Sequence, residues 1–304
     1  MPFCIAALAV IGCGTQQMPS PIGGGAAASW MAAEAKDRDL VYLSDARTNE
    51  VDIYSYPDAR LVGKLKSFGR PRGECADAQG NVWIADLDAD QVVEFAHGGT
   101  EPISALSTPG EPGGCSVDPH TGNLAVTSGS LVSVYHQSVR GIWRDPHQYR
   151  SRSMRAAAFC GYDGAGNLFL DGVRKSGSFE LAELPRGKRA FIEIALHRNI
   201  AAPGQVQWDG ANVAVGDTGA KPSAIYQFSV DGRKATEVGS TTLDGTKSVR
   251  QFWIEGNTVV APDFERDVGF WRYPQGGKPT DTISAVSGYG AAVSVASPAP
   301  SHPL

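Results

Sequence analysis

The sequence is poor in charged residues and has no long hydrophobic segment. Only 19% of its 304 residues are charged, and 27 basic against 32 acidic residues give a net charge of −5. A chain without a basic excess lacks the electrostatic footprint of a nucleic-acid-binding protein, so we expect no nucleic-acid partner. A mildly acidic surface of this kind mainly favours solubility.

Familiar catalytic and metal-binding motifs are also missing. There is no G-x-S-x-G motif for a serine nucleophile, and the five cysteines follow no C-x-x-C spacing. The segment DLDADQ, Asp86 to Gln91, begins like a calcium loop, but Gln91 and His97 stand where an EF-hand needs Gly and Glu. We therefore predict no catalytic residue, no metal site and no cofactor.

One short apolar run occurs, at the N-terminus. Residues Phe3 to Gly12 are too few to span a bilayer but have the length of a signal-peptide core. Cys13 follows in the context VIGC, which resembles the lipobox of bacterial lipoproteins, although no basic residue precedes the run. The resemblance implies that Cys13 is lipidated, and ordinary secretion or an untargeted apolar tail are the alternatives.

These features divide the chain into four predicted parts. Residues 1–13 are a signal peptide with a lipobox-like cysteine, and residues 14–36 are a flexible tether rich in Ser, Pro, Gly and Ala. Residues 37–296 form the folded domain, and 297–304 a disordered tail. We expect an extracytoplasmic protein, periplasmic or at the cell surface, attached to the membrane through its N-terminal lipid alone.

Cysteine usage outside the signal is sparse. Cys75, Cys115 and Cys160 allow at most one disulfide and leave one free thiol. We expect all three to serve as small, buried, apolar side chains.

A turn of the Gly-Asn type recurs at a nearly fixed period. The intervals between its asparagines are 42, 44, 45 and 45 residues, and the asparagines are Asn81, Asn123, Asn167, Asn212 and Asn257. Each is followed by an alternating strand such as VWIAD or LAVTS, and then by a second apolar-aromatic strand. Several copies end in a further turn and an outer strand. Four short strands in a period of this length are typical of a propeller blade.

The repeats resemble those of NHL-repeat and YVTN-type propellers. The stretch PRGECADAQGNVWIADLDADQVVEF is similar to the NHL pattern, and the resemblance extends from about Leu40 to Val295. It implies an all-β, six-bladed β-propeller with four-stranded antiparallel blades. The first copy lacks its inner strand, so residues 288–295 are predicted to supply it and close the ring. This resemblance specifies fold rather than function.

Residues on the predicted strands are expected to pack between blades. They are Trp83, Phe169, Val215 and Val259 on the first repeated strand, and Tyr54, Phe95, Tyr135, Phe228 and Trp271 on the second.

Five polar residues stand near the starts of the predicted inner strands, at one mouth of the central channel. They are Arg72, Glu74, Arg155, Gln205 and Arg250. Three arginines at one depth favour an anionic ligand. The alternative is that these arginines are solvated or form ion pairs with Glu74 and Glu111. Lactonase-type propellers are expected to carry Glu, Asn and Asp ligands for channel Ca²⁺, and here only Glu74 is so placed. Amidating-lyase propellers use His, and no predicted inner strand carries one.

The leading functional prediction is a monomeric, non-enzymatic binding or scaffold module for a protein or a small anionic ligand. The alternative is a lactonase-like propeller hydrolase or lyase. One further motif is the basic run Arg144 to Arg155, with four Arg and one His between the third and fourth copies. It would contact acidic polymer or lipid headgroups, or else form a solvated loop.

Overall fold

The structure is a computed structural model that describes residues 28–45, 47–138, 140–284 and 286–296. The predicted signal peptide with Cys13, the first part of the predicted tether and the predicted tail 297–304 lie outside these residues. Within them, no helix is long and apolar enough to cross a bilayer.

The first sheet combines both ends of the described chain. Its strands are β1 (Trp30–Met31), β2 (Leu40–Asp45), β3 (Glu50–Ser55), β4 (Leu61–Leu65) and β25 (Gly288–Ser294). The strand order is β1-β4-β3-β2-β25.

Three further sheets are antiparallel meanders of four consecutive strands each. They are β5 (Pro71–Ala76), β6 (Val82–Asp86), β7 (Gln91–Phe95) and β8 (Pro102–Ser107); β9 (Pro112–Val117), β10 (Leu124–Ser128), β11 (Leu131–Tyr135) and β12 (His147–Tyr149); and β21 (Trp253–Glu255), β22 (Thr258–Pro262), β23 (Val268–Arg272) and β24 (Asp281–Ile283).

The fifth sheet contains eight strands. They are β13 (Met154–Tyr162), β14 (Leu168–Arg174), β15 (Phe179–Leu184), β16 (Ile192–Leu196), β17 (Pro203–Trp208), β18 (Val213–Asp217), β19 (Ala224–Asp231) and β20 (Lys234–Thr242). Two antiparallel runs of four strands meet where β16 pairs in parallel with β20, at Ala195–Lys234 and Leu196–Ala235.

The described residues therefore form five hydrogen-bonded sheets, whereas the sequence predicts six separate blades. The difference arises at the outer edge, where the backbone groups of an edge strand are free to pair with a neighbour. Strand β20 is nine residues long, and its first residues lie beside the end of β16.

The predicted pairing of the two chain ends is confirmed. Strand β25 runs antiparallel to β2, with Leu40 opposite Ser294 and Tyr42 opposite Ala292. Strands β25, β5, β9, β13 and β17 contact one another in this order, and β21 contacts β25. The N–H of Gln205 on β17 donates to the carbonyl of Arg250, just before β21, at 2.9 Å. These inner strands thus encircle a common centre, and the fold is a β-propeller.

Residues 28–36 belong to the segment predicted to be a tether, and there the structure describes regular elements. Strand β1 pairs with β4, and a 3-10 helix follows at Ala33–Asp37. Ala35 of this helix is fully buried in the core between the first two sheets. The described domain therefore includes residues before the predicted boundary at Asp37.

The repeated turn owes its geometry to an Asp as well as to its Gly-Asn pair. In the first copy Gly80 takes the positive φ of 84°. Asp77 accepts the backbone N–H groups of Gln79 and Asn81 and the side-chain amide of Asn81, at 2.8–2.9 Å. The asparagine is therefore a hydrogen-bond partner of the Asp, and the glycine supplies the left-handed conformation.

Apolar side chains fill the spaces between neighbouring sheets. Tyr42 and Ile53 of the first sheet pack with Ile84 and Phe95 of the second, for example. All nine residues predicted from the repeat to pack between blades are at most 9% exposed. Each such burial stabilises the fold by about 1.5–3 kcal/mol.

One disulfide links adjacent inner strands. Cys75 on β5 and Cys115 on β9 are bonded, and Cys160 on β13 is a buried free thiol. The prediction of at most one disulfide and one free thiol is confirmed. The expectation of a merely apolar role was wrong for Cys75 and Cys115, because their strands lie side by side at the centre.

Candidate functional site

The inner strands approach one another so closely that glycine is required between them. A Cβ on Gly73 would lie 2.4 Å from the carbonyl oxygen of Gly113 on the next inner strand. A Cβ on Gly290 would lie 2.3 Å from the carbonyl oxygen of Arg72. Any larger residue at either position would push two inner strands apart. The close approach fixes the position of the polar side chains at the channel mouth.

Two arginines meet on one aromatic ring at this mouth. The guanidinium carbon of Arg72 lies 4.4 Å from the ring centroid of Tyr289, and that of Arg250 lies 5.6 Å from the same centroid. Arg250 also lies 5.3 Å from the ring centroid of Phe264. These are cation–π distances, and the aromatic faces hold both cations in place. We call Arg72, Arg250, Tyr289 and Phe264 the arginine cluster.

No described carboxylate forms an ion pair with either arginine of this cluster. Arg70, by contrast, is paired with Asp88, and Lys247 with Glu265. The Nε of Arg72 is buried and has no hydrogen-bond partner in the described structure. Burial lowers the pKa of Arg72, and the nearby cations Arg70 and Arg250 act in the same direction. The cluster therefore presents two guanidinium groups that form no ion pair with a described carboxylate, although Tyr289 and Asp88 partly offset the lowering of the Arg72 pKa.

Glu74 lies beside the cluster and is fully buried. Its Oε1 accepts the Ser44 hydroxyl at 2.5 Å, while its Oε2 has no partner among the described residues. Its backbone forms two hydrogen bonds with the Gln251 side chain, at 2.9 and 2.6 Å. Burial raises the pKa of Glu74 to about 8, although the bond from Ser44 opposes the shift. Glu74 is thus a neutral acid at pH 7 and does not cancel the positive charge of the cluster.

Gln205 and Arg155, predicted at the same mouth, make no described side-chain contact with the arginine cluster, although the Gln205 N–H donates to the Arg250 carbonyl. The Gln205 side chain lines a cavity of about 230 Å³ with Tyr162, Trp208 and Trp253. Arg155 is exposed at the start of β13, and no described hydrogen bond, ion pair or ring contact joins it to the arginine cluster. Strand β13 starts early and has a register shift between Met154 and Ala156, which explains the displacement of Arg155.

Sequence reasoning missed Tyr289, Phe264 and Gln251 as partners of this site. The stretch GYG was assigned to the closing strand, and that placement already puts Tyr289 beside Arg72. The missing step was to combine ring closure with the preference of guanidinium groups for aromatic faces. Phe264 left no such signal, because it stands in a loop after β22.

Two further buried polar groups, on strands next to the inner ones, have structural roles. The hydroxyl of Thr127 accepts the N–H of Gly114 at 2.9 Å and donates to the carbonyl of Ala158 on the next inner strand at 2.8 Å. Asp171 accepts the N–H of Phe159 at 2.8 Å, and its burial raises its pKa well above the usual range.

The carboxylate of Asp86, at the head of the calcium-like segment, is engaged as well. It accepts the backbone N–H groups of Gly69 and Arg70 at 2.9–3.1 Å. Within the described residues no group of three or more His, Cys, Asp or Glu side chains is arranged to hold a metal ion.

Comparisons with known proteins identify the fold. No protein-family model and no curated protein sequence matches the chain. A chain of the nidogen/laminin complex is similar with a TM-score of 0.66 at 12% identity, covering 85% of this chain and 98% of that one. A protein of unknown function from Bacteroides caccae has a TM-score of 0.65 at 11% identity, with 84% and 98% coverage.

A Bacteroides fragilis protein provisionally assigned as a 6-phosphogluconolactonase has a TM-score of 0.56 at 12% identity, covering 86% of this chain and 99% of that one. At identities this low, the likeness shows a shared β-propeller fold alone.

Proposed function

We propose that the chain is an exported, non-enzymatic binding module that holds a small anionic ligand at the arginine cluster. One observation carries the proposal: two guanidinium groups share the Tyr289 ring without a carboxylate partner. Arg72 also keeps a buried Nε without an acceptor. A carboxylate or phosphate oxygen would supply that acceptor and form charge-assisted hydrogen bonds with both arginines.

The test is anion-dependent thermal stabilisation. Citrate and inorganic phosphate should raise the melting temperature of the wild type by about 3 °C or more at saturation. The double variant Arg72→Gln/Arg250→Gln should lose this response, because both cationic donors are removed. Arg155→Gln is the matched control and should keep it, because Arg155 lies apart from the cluster. An unresponsive wild type, or a double variant that responds fully, would reject the proposal.

Two alternatives compete with this reading. A protein partner on one propeller face is compatible with the fold, which the chain shares with a component of the nidogen/laminin complex.

A hydrolase or lyase would need a nucleophile or base beside the bound ligand. Glu74 is the nearest acid, but Ser44 and Gln251 hold it in a structural network. Turnover of lactone or ester substrates that is lost in Glu74→Gln would favour the enzyme.

We further infer six blades of NHL or YVTN type. The support is that the eight-stranded sheet divides into two antiparallel runs joined by two register pairs only. Each run also contributes one inner strand, β13 or β17. An experimental structure in which β13–β20 form one continuous blade would contradict this count.

Export and lipid attachment rest on the N-terminal sequence. A buried disulfide at Cys75–Cys115 is compatible with an oxidising, extracytoplasmic compartment. Cys13→Ala should move the protein from the membrane fraction to the soluble fraction, and a wild type that is already soluble would contradict lipidation.

A further inference from the structure

A second cavity lies away from the channel, between the sheet β9–β12 and the run β13–β16. It has a volume of about 400 Å³. We call it the histidine groove and define it by His136, His147, Tyr149, Arg186, Lys188 and Arg189. It is separate from the arginine cluster, with which it shares no residue.

Two histidines form one wall of the groove. His136 directly follows β11 and His147 begins β12, the strand that the basic run Arg144–Arg155 contributes to this sheet. Their ring centroids are 5.0 Å apart in an edge-on arrangement. The Nε2 of His136 is buried and has no hydrogen-bond partner in the described structure. This wall therefore combines two imidazole rings at the cavity with a buried ring nitrogen that has no partner in the described structure.

The opposite wall is cationic. The turn after β15 places Arg186, Lys188 and Arg189 at the groove, and all three are exposed. None of them forms an ion pair with a carboxylate of the described chain, although the whole sequence has a net charge of −5. Asp118 is the acidic residue of the lining, and its carboxylate already accepts the His120 N–H and the Thr121 hydroxyl. The groove is thus locally basic on an acidic protein.

From this arrangement we propose that the histidine groove binds an oxyanion group, a phosphate or a sulfate, carried by a larger molecule. Lys and Arg donate charge-assisted hydrogen bonds to such groups, and a protonated His136 adds positive charge to the wall of the same cavity. The cavity is larger than a single oxyanion, which leaves space for the molecule that carries it. A lipid headgroup and a soluble phosphorylated compound share this chemistry.

Protonation of His136, whose ring lies 5.0 Å from that of His147 in the groove wall, couples the site to pH. The groups that face His136 are His147, Asp118, Tyr149 and Tyr162, together with the three cations of the turn. Burial and the neighbouring His147 lower the pKa of His136, so it is neutral at pH 7. Acidification adds positive charge to the groove, and oxyanion binding strengthens as the pH falls.

The first experiment titrates sodium sulfate by calorimetry at constant ionic strength. Sulfate keeps its charge over the range used, so any pH dependence belongs to the protein. Wild type and Arg72→Gln/Arg250→Gln should both bind at about pH 5.5, and about tenfold more weakly at about pH 8. Lys188→Gln/Arg189→Gln should weaken binding about tenfold at the lower pH. Its melting temperature without sulfate should be unchanged, because both side chains are exposed.

The second experiment removes the histidines. In His136→Gln/His147→Gln the affinity for sulfate should lose its pH dependence. The variant should still bind sulfate through Arg186, Lys188 and Arg189. Sulfate binding that is absent, or that is unaffected by both groove variants, would overturn the proposal. If Arg72→Gln/Arg250→Gln abolishes sulfate binding and the groove variants do not, the groove proposal fails and the proposed function at the channel mouth is supported.

A vesicle-binding experiment distinguishes a lipid headgroup from a soluble phosphorylated compound as the source of the oxyanion. Phosphatidylglycerol vesicles that cosediment with the wild type, but not with Lys188→Gln/Arg189→Gln, would assign the groove to a lipid headgroup. Phosphatidylcholine vesicles are the uncharged control. Sulfate binding without vesicle binding would assign it to a soluble phosphorylated compound.

Discussion

Glu74 illustrates how a single buried side chain links the stability of the ring to its site. The residue is fully buried, and its pKa is raised from the usual 4.5 to about 8 because burial penalises the charged form. The folded protein therefore holds a proton on Glu74 that the unfolded chain releases between about pH 4.5 and pH 8. Glu74 consequently destabilises the fold progressively as the pH rises through this interval.

Replacing Glu74 by Gln should remove that destabilisation. Below about pH 4.5 the variant and the wild type should be similar in stability, since the carboxyl is neutral in both states there. Near pH 8 the variant should be more stable, by an amount on the order of a few kcal/mol. The measurement is the free energy of unfolding in urea at several pH values.

Glu111→Gln serves as the control for this series, since it removes an exposed carboxyl group. It should leave the difference from wild type constant across the pH range. If the Glu74→Gln curve stays parallel to that of the wild type, the buried neutral acid is not present.

At the scale of elements, one repeated position joins neighbouring blades. In the strand that corresponds to VWIAD in each copy, this position is the next to last. It is occupied by Ser44, Thr127 and Asp171 in three of the copies. The Thr127 hydroxyl donates to the Ala158 carbonyl on the inner strand of the next sheet. The Ser44 hydroxyl donates to Glu74 on the inner strand of its next sheet and lies 2.7 Å from the Arg72 carbonyl. The bonds span the space between inner strands, where the backbone groups have no ladder partner.

Thr127→Val tests this role with a side chain of nearly the same shape. The substitution leaves the Gly114 N–H and the Ala158 carbonyl without their buried partner, so it should destabilise the fold by about 1–3 kcal/mol. Chemical denaturation measures this difference.

Ser133→Ala is the matched control on the neighbouring strand. Its hydroxyl is buried but has no hydrogen-bond partner within the described structure, so its loss should cost little or stabilise. Equal effects of the two substitutions would argue against the bridging role of Thr127.

The elements themselves could be predicted because each copy repeats its turn and its alternating strands. Two features could not. The parallel contact of β16 with β20 depends on the length of β20 and on where its end meets a neighbouring edge, which no local pattern encodes. The disulfide depends on the distance between Cys75 and Cys115, which the sequence does not give.

The candidate site was predicted in part, for a related reason. Arg72, Glu74 and Arg250 were found because the repeat aligns the starts of their inner strands. Arg155, predicted with them, lies at a register shift of β13 and has no described contact with the cluster. Repeat alignment gives the blade and depth of a residue, but irregularities at strand ends decide which side chains meet.

At the scale of the whole molecule, ring closure makes the fold and the site interdependent. Strand β25 completes the first sheet and contacts β5 and β21, and it also supplies Tyr289. Without this strand, β2 would have an unpaired edge and both arginines would lose their shared aromatic platform.

A chain that ends at Ser287 should therefore fail as a unit rather than lose one sheet. The missing strand removes the ladder to β2 and the close contact of Gly290 with Arg72, a loss comparable with the total stability of about 5–15 kcal/mol for a domain. We expect no cooperative melting and a tendency to associate through the exposed edge, measured by circular dichroism and size-exclusion chromatography. A chain that ends at Ala296 keeps the strand and should melt like the wild type. If the shorter chain instead melts cooperatively as a monomer and still responds to citrate, the anion site works without Tyr289. Ring closure by β25 would then not be what holds the arginine cluster together.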